Sequence, residues 1–520
     1  MRNSYLNVFF GGLLIGFIIY FLIWGFGFIG DGNKTIFVLS SLFGIFMAFN
    51  IGGNDVANAF GTSVGSGTLT LTQALCIAAI FEVGGAVLAG SNVTNTIKTG
   101  LVKLDDMGLD PHDFIFIMMS ALIAAALWLL IATFKGWPVS TTHAIVGAIV
   151  GSSLTFGFII EDPNIHILSL VKWGNLSKIV ISWFLSPLLG GVVSYLVYKA
   201  IKYYILDYNV IAQAKIDNLK RKRRQLKKEH KEYFDSLSDR EKVIVAEAMN
   251  RDALAMKSPF FEPSDLDSAY YKKMYAIDSK KENLKSHKAL EIGVPIVAAL
   301  GTFVIGSMVI FKGFKNLDLG LSLLQNFLIL IMISSAVWMS MFILAKTLRK
   351  SNLSKSTFLI FSWLQVFTAS GFAFSHGSND IANAVGPFAA IFDTLRNGEI
   401  ALTSNTQPIV LLTFGVALVV GLWFIGKEVI ATVGTHLTKI HPASGLSAEL
   451  SAAGVVMGAS VLGLPVSSTH ILIGAIIGIG LVNREANWRL MKKIGLAWVV
   501  TLPAAALLSS VGFILIRSLF

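Results

Sequence analysis

Apolar residues in this chain run in blocks instead of alternating. Long stretches fall near 8–30, 36–53, 74–90, 114–134, 178–205, 290–311, 321–345, 356–375, 409–425 and 495–519. Several approach the ~20 residues that a helix needs to cross a hydrocarbon core at 1.5 Å per residue. Two shorter runs, 137–158 and 460–482, are interrupted by Pro, Ser, Thr, His and Gly, and predict re-entrant hairpins. The first run lacks a small-residue cleavage site and reads as a retained helix, not a signal peptide. The pattern predicts an all-α polytopic membrane protein. Composition agrees: of 520 residues, 54% are hydrophobic and 14% charged, against about 25% charged in soluble domains. A single cysteine, Cys76, excludes intrachain disulfides and cysteine metal clusters.

Charge divides the chain. Residues 199–288 hold 21 of the 42 Lys and Arg against 14 acidic residues, including "KRKRRQLKKEHK" at 220–231. In a multispan protein this reads as a cytoplasmic loop obeying the positive-inside tendency and touching anionic lipid, not as a nucleic-acid site. Ser238 and Glu241 form a capping-box pattern, so part of the loop is expected to be helical. The expected organisation is a first membrane repeat over 1–206, a basic loop over 207–289 and a second membrane repeat over 290–520.

The word "repeat" is earned by two motif pairs. "AFNIGGNDVANAFG" (48–61) recurs as "AFSHGSNDIANAVG" (373–386), with Ala48, Phe49, Gly52, Asn54, Asp55, Ala57, Asn58, Ala59 and Gly61 matched at an offset of 325. "GWPVSTTHAIVGAIVG" (136–151) recurs as "GLPVSSTHILIGAIIG" (463–478) at an offset of 327. Loop charges set direction. With 199–288 inside and four basic residues in "KTLRKSNLSKS" (346–356), helix 356–375 reaches its Asn-Asp pair travelling outward. Arg2 favours an inside N-terminus, so helix 36–53 reaches its own pair travelling inward. Two breaks approached from opposite faces predict an inverted-topology repeat with a substrate site near the midplane.

The chemistry follows from cost. A carboxylate at bilayer depth costs about 2.5–3.5 kcal/mol, so Asp55 and Asp380 are expensive. Capping a helix would be served by Asn or Ser at lower cost. An Asp flanked by Asn54 and Asn58, beside carbonyls freed at a Gly-Gly break, is a hard-oxygen cage suited to Na⁺; Asn379, Asp380 and Asn383 make its mate. In the other motif Pro138 and Pro465 suit a first helical turn, and the hydroxyls of Ser140, Thr141, Thr142, Ser467, Ser468 and Thr469 follow at once, an anion site. His143 and His470 read as orienting groups. Residues 35–97, 136–171, 356–395 and 440–483 contain all four motifs and no Lys or Arg. Helix termini supply about half a charge each, so an anion bound here needs cations bound with it, which predicts cation–anion symport. Glu82, Glu449 and His376 are further intramembrane candidates for a supporting role, His376 standing where the first copy has Ile51.

"GGNDVANAFGTSVGSG", "HGSNDIANAVGP", "PVSTTH" and "PVSSTH" resemble the signature of the inorganic phosphate transporter (PiT) family of sodium- or proton-coupled symporters, and "HPASGLSAELSAA" (441–453) extends the resemblance. It covers nearly all of both membrane halves and not the loop 207–288. It implies inorganic phosphate as the anion, Na⁺ as the usual cation, no other cofactor, two re-entrant hairpins and a homodimer in a bacterial inner (plasma) membrane. It places sodium on Asn54, Asp55, Asn58, Asn379, Asp380 and Asn383, and phosphate on the six hairpin hydroxyl residues. Two alternatives stand beside this reading: a sulfate or proton-coupled (metal-)phosphate permease on the same scaffold, and an intramembrane hydrolase using Ser140 with His143.

Overall fold

The computed structural model describes residues 2–102, 110–160, 166–284, 286–313, 320–350, 352–400, 406–436 and 440–520. These residues form helices and no sheet. In the first half run α1 (Arg2–Phe26), α2 (Lys34–Ile51), α3 (Ala57–Gly65), α4 (Leu71–Ala89), α5 (Ser91–Thr99), α6 (Pro111–Phe134), α7 (Thr141–Ile159) and α8 (Trp173–Ile201). Between the halves lie α9 (Asp207–Ser236), α10 (Asp239–Ala255), α11 (Ala269–Glu282) and α12 (Lys288–Met308). The second half has α13 (Leu323–Thr347), α14 (Leu353–Asp380), α15 (Ala382–Asn397), α16 (Pro408–Ile425), α17 (Lys427–Ala431), α18 (Pro442–Val461), α19 (Ser468–Asn483) and α20 (Trp488–Leu519). Eleven helical segments among the described residues are long and apolar enough to cross a membrane. Two of these, α1 and α13, bury few of their residues in the protein, which suits lipid as the solvent for the rest.

The chain divides into two compact units. One comprises residues 1–199, 298–336 and 360–520; the other comprises 200–297 and 337–359. In the larger unit an aromatic cluster ties α1, α2, α15 and α16 together: Phe388 lies 5.1 Å from Phe414 and 5.6 Å from Phe21 between ring centroids. Such pairs add about 0.5–1.5 kcal/mol each beyond their buried area.

Helix crossings in the same unit are closer than side chains allow. A Cβ at Gly52 would stand 1.8 Å from Leu418 O, and one at Gly421 would stand 1.8 Å from Phe49 O. The second half repeats the device: a Cβ at Gly377 would stand 2.1 Å from Glu82 O, and one at Gly85 would stand 2.0 Å from Phe374 O. Backbones therefore touch where α2 crosses α16 and where α4 crosses α14. In lipid, where helix association rests on packing and not on the hydrophobic effect, small residues at crossings supply that contact.

Three elements differ from the sequence reading. The Asn-Asp breaks are narrower than predicted. In the first copy Gly52–Val56 forms a π-helical turn, and Ile51, Gly52, Val56 and Ala57 all keep right-handed helical angles. In the second copy only Ile381 separates α14 from α15, also at helical angles (φ −58°, ψ −31°). The ladder is shifted at these turns instead of being unwound. Next, α18 is a full helix of 20 residues that the apolar pattern concealed, because Ser444, Gly445, Ser447, Glu449, Ser451 and Ser460 are buried against protein. Last, Pro138 and Pro465 precede the caps of α7 and α19 by two residues and lie outside both first turns. Each hairpin turns at a glycine with left-handed angles, Gly136 (φ 64°) and Gly463 (φ 68°).

The smaller unit contains the basic helix α9 with α10 and α11. Ser238 caps α10 as predicted, its N–H donating to Glu241 Oε2 at 3.0 Å. The buried Asp252 ties α10 to the start of α11 by accepting Asp267 N (2.7 Å), Ser268 N (2.8 Å) and the Ser268 hydroxyl. Burial pushes the Asp252 carboxyl up, but the Ser268 hydroxyl and the two backbone donors outweigh it and hold the pKa below the ordinary aspartate value.

Two predictions follow from packing. Gly52→Ala and Gly421→Ala each force a methyl into a carbonyl, so each should lower stability by at least about 1–3 kcal/mol, read as a drop in thermal midpoint in detergent. Gly12→Ala, which meets nothing within 4 Å, should leave the midpoint unchanged. In the smaller unit the depressed Asp252 pKa means its stabilisation is full above the unfolded value of about 4 and fades as pH falls through the lower folded value. Hydrogen-exchange protection factors of the α10–α11 amides, corrected for the intrinsic pH dependence of exchange, should therefore fall in acid for the wild type, and Asp252→Asn should remove that acid dependence.

Candidate functional site

Each Asn-Asp pair lies on a buried helical turn, and its asparagine grips the turn of its own half's hairpin. Asn54 Nδ2 donates to Thr133 Oγ1 (3.1 Å) and Trp137 O (3.0 Å), while its Oδ1 accepts Val139 N (3.1 Å). Asn379 repeats the grip with Ser460 Oγ (3.0 Å), Leu464 O (3.2 Å) and Val466 N (3.3 Å). Thr133 and Ser460 were not singled out from sequence, yet they stand at the same 327-residue offset as the hairpin motifs. That offset was the available signal. Ser140 and Ser467 cap α7 and α19, accepting His143 N at 3.1 Å and His470 N at 3.2 Å.

The aspartates are solvated by hydroxyls. Asp55 accepts Thr141 Oγ1 from its own half and Thr469 Oγ1 (2.9 Å) from the other. Asp380 accepts Ser468 Oγ, and no hydrogen-bond partner reaches its Oδ1 among the described residues. Asn383 donates across the halves to Thr141 Oγ1 (3.1 Å) and Thr142 Oγ1 (3.2 Å), and Thr142 Oγ1 donates to Val466 O (3.0 Å). Four of the six predicted anion-site hydroxyl residues, Thr141, Thr142, Ser468 and Thr469, therefore bond directly to predicted cation-site residues, and Ser140 and Ser467 cap the helices beside them. The side chain of Asn58 lies outside the described residues.

His376 connects a third acid to this centre. Its Nδ1 lies 2.9 Å from Glu82 Oε2 and its Nε2 lies 2.8 Å from Asp380 Oδ2. Ligand atoms of Asp55, His376 and Asp380 all fall within 4.8 Å of one another. Two carboxylates at that separation repel by roughly 3 kcal/mol at an effective dielectric of 20. Glu449 belongs to a second cluster. Its Oε1 accepts Thr62 (2.7 Å), Ser63 (2.5 Å) and Gln365 (3.1 Å), and its Oε2 accepts Thr368 (2.8 Å). These four partners come from α3 and α14; Thr62 and Ser63 lie inside the quoted motif of the first half, whereas nothing in the sequence singled out Gln365 and Thr368.

The histidines of the hairpins do not pair with the serines through their rings. His143 packs on Trp183 (3.9 Å between centroids), His470 on Trp498 (3.7 Å), and the two imidazoles meet edge to face at 4.6 Å. The tryptophans cross over as well: Trp183 Nε1 donates to Pro465 O at 3.2 Å and Trp498 Nε1 to Pro138 O at 3.1 Å. The histidines are packing groups at the seam between hairpins. Two buried ammonium groups were also missed, Lys98 paired with Asp393 and Lys312 donating to Ser460 O at 3.3 Å; Lys98 directly follows the lysine-free stretch 35–97, and Lys312 lies far from all four.

The family model described as "Phosphate transporter family" matches residues 51–509. The chain belongs to that family. A Mycobacterium bovis protein named "Putative phosphate permease" is 56% identical over 509 residues, spanning 98% of this chain and 92% of its own. "Inorganic phosphate transporter 2-1, chloroplastic" from Arabidopsis thaliana is 32% identical over 502 residues, spanning 92% and 71%. A solved structure titled "The sodium-dependent phosphate transporter" is 28% identical with a TM-score of 0.71, covering 94% of this chain and all of that one. This member of the phosphate transporter family is an integral, multi-pass membrane protein and a transporter, not an enzyme, which disposes of the hydrolase alternative. Its bacterial relatives point to a plasma membrane.

The exchange of hydroxyls between halves gives a prediction. Thr469→Val removes the donor that the second half lends to Asp55. Loss of a hydrogen bond to a charged group, about 1.5–3 kcal/mol, should slow phosphate uptake roughly 10–100-fold while the thermal midpoint stays within a few degrees. A wild-type uptake rate would make the exchanged bond incidental.

Proposed function

We propose that this transporter imports inorganic phosphate by symport with Na⁺, through alternating access around the Asp55–Asp380 centre. One observation carries the reading: two buried carboxylates sit close enough to repel, among hydroxyls suited to an anion, with no Lys or Arg in the motif stretches that contribute them. Cations relieve the repulsion, and once bound they compensate the charge of the phosphate. Asp55, Asp380 and Asn383 would hold sodium, with Asn54 and Asn379 fixing the hairpins beside it. Thr141, Thr142, Ser468 and Thr469 would hold phosphate near the N-termini of α7 and α19, with Ser140 and Ser467 shaping those termini. The doubled crossings and doubled asparagine grips support two equivalent halves, and the charge pattern supports their inverted orientation with loop 207–289 in the cytoplasm. The name of the structural relative supports sodium as the coupling ion.

His376 favours a second coupling reading. It stands against Asp380 in the half where the first copy has Ile51, so a proton can replace one cation there. Sulfate is a weaker fit than phosphate, because a fully ionised anion has no proton to donate to a carboxylate.

The test is labelled-phosphate uptake into proteoliposomes, with an imposed Na⁺ gradient and then with a proton gradient alone. Asp55→Ala and Asp380→Ala should each cut Na⁺-driven uptake at least about 100-fold, as expected for losing a buried charged ligand worth roughly 3 kcal/mol. Excess sulfate should compete weakly. Uptake that follows only the proton gradient would move the coupling from sodium to His376 and the carboxylates. Full uptake in both alanine variants would place the cations elsewhere.

A further inference from the structure

Matching α1–α8 to α13–α20 in order leaves α12 without a counterpart. That helix ends in a π-helical turn, Val309–Gly313, and the turn carries Lys312, which is 6% exposed. An ammonium at membrane depth is costly, and packing alone would be served better by Leu or Met. Lys312 Nζ donates to Ser460 O at 3.3 Å.

Ser460 is next to last in α18, so its carbonyl is among those left without an intrahelical partner, at the end where a cation is favoured by the helix dipole. The same carbonyl accepts Gly463 N at 3.1 Å, which closes the left-handed turn of the second hairpin. The hydroxyl of Ser460 meanwhile accepts Asn379 Nδ2 at 3.0 Å and Ser378 Oγ at 3.3 Å. One residue is thus gripped at its carbonyl by Lys312 and at its side chain by the Asn-Asp turn. Asn379 continues to Leu464 O and Val466 N, and the next three residues are Ser467, Ser468 and Thr469. A third hold comes from Thr96 Oγ1, which donates to Gly463 O at 2.7 Å.

We propose that Lys312 is a positioning residue for the second hairpin: its ammonium fixes the C-terminal end of α18 so that the Ser467–Thr469 hydroxyls stay aligned with Asp380 and Asp55. The proposal rests on the phosphate-symport reading for its transport consequence and on geometry alone for its structural one. Lys312 sits on the turn that ends α12, a membrane helix without a counterpart in that matching, so this hold on the turn comes from outside the duplicated elements. In the first hairpin the matching Thr133 O accepts Gly136 N at 2.9 Å, and the turn's own Lys135 lies over the Trp137 ring.

The experiment uses the full-length chain in two backgrounds. In the first, phosphate uptake into proteoliposomes is compared for wild type, Lys312→Met and Lys312→Arg. Lys312→Met should raise the phosphate KM about 10-fold with a smaller change in kcat, as expected for losing one charge-assisted hydrogen bond. Lys312→Arg, which keeps a cationic donor, should restore the KM. In the second, Cys76→Ser with Leu462→Cys leaves one thiol on the turn, at a position 74% exposed. Maleimide labelling in detergent should be several-fold faster with Lys312→Met than with Lys312, and Lys312→Arg should return it. Should Lys312→Met fail to give a monodisperse protein, Lys312→Gln replaces it in both assays with the same expectations. Wild-type KM and labelling in the Met or Gln variant, or an Arg variant no better than Met, would overturn the proposal. A wild type that takes up no phosphate would instead overturn the function, and the labelling rates would still decide the role of Lys312.

Discussion

Two carboxylates that lipid cannot solvate must be solvated by the protein, and much of the architecture around Asp55 and Asp380 serves that need. Hydroxyl groups are the solvent chosen. They arrive on hairpins whose turns are held by Asn54 and Asn379, the residues next to the acids in sequence. The acid and the group that satisfies it are thereby placed by one short segment of helix. Lysine and arginine would neutralise the carboxylates permanently, and the motif stretches exclude them. What remains is a cluster of oxygen atoms and repelling charge, the feature on which the proposed cation coupling rests.

Sequence made the parts legible and left their pairing hidden. The apolar blocks, the two motif pairs and the basic loop all correspond to elements of the structure. An offset of 325 or 327 residues tells which residues are alike, however, and not which ones meet. Thr469 reaches Asp55 and Asn383 reaches Thr141, contacts that cross the repeat and leave no trace in either copy alone. The Asn-Asp turns looked like breaks because polar residues interrupted an apolar run, whereas a widened helical turn accommodates them with the backbone still bonded. α18 escaped notice for the opposite reason: a helix surrounded by protein does not need an apolar surface on all sides. The Glu449 cluster gathers its ligands from two distant helices, and nothing in the sequence singles out Gln365 and Thr368.

The duplication is not a perfect copy, and its departures are concentrated on one side. His376 replaces Ile51, so the second acid has a nitrogen base and, through it, Glu82. Lys312 reaches the second hairpin from a helix that the first half lacks. Asp380 keeps one oxygen without a hydrogen-bond partner among the described residues, while both oxygens of Asp55 are engaged. Two halves built on one plan thus present different ligand fields.

The glycine crossings bear on how such a machine could move. Where Gly52 meets Leu418 and Gly377 meets Glu82, main chain rests on main chain with no side chain between. Rotamer changes cannot loosen a contact of this kind, and a rotation of even a few degrees would drive a carbonyl into its neighbour. The two crossed helix pairs therefore behave as stiff struts. The hydroxyl-bearing helices are seated in the same way: a Cβ at Gly151 of α7 would stand 2.4 Å from Ala506 O, and one at Gly478 of α19 would stand 2.3 Å from Gly191 O. In mechanical terms these helices are clamped to α20 and α8 by main chain, so a hairpin that shifts must carry its partner helix with it.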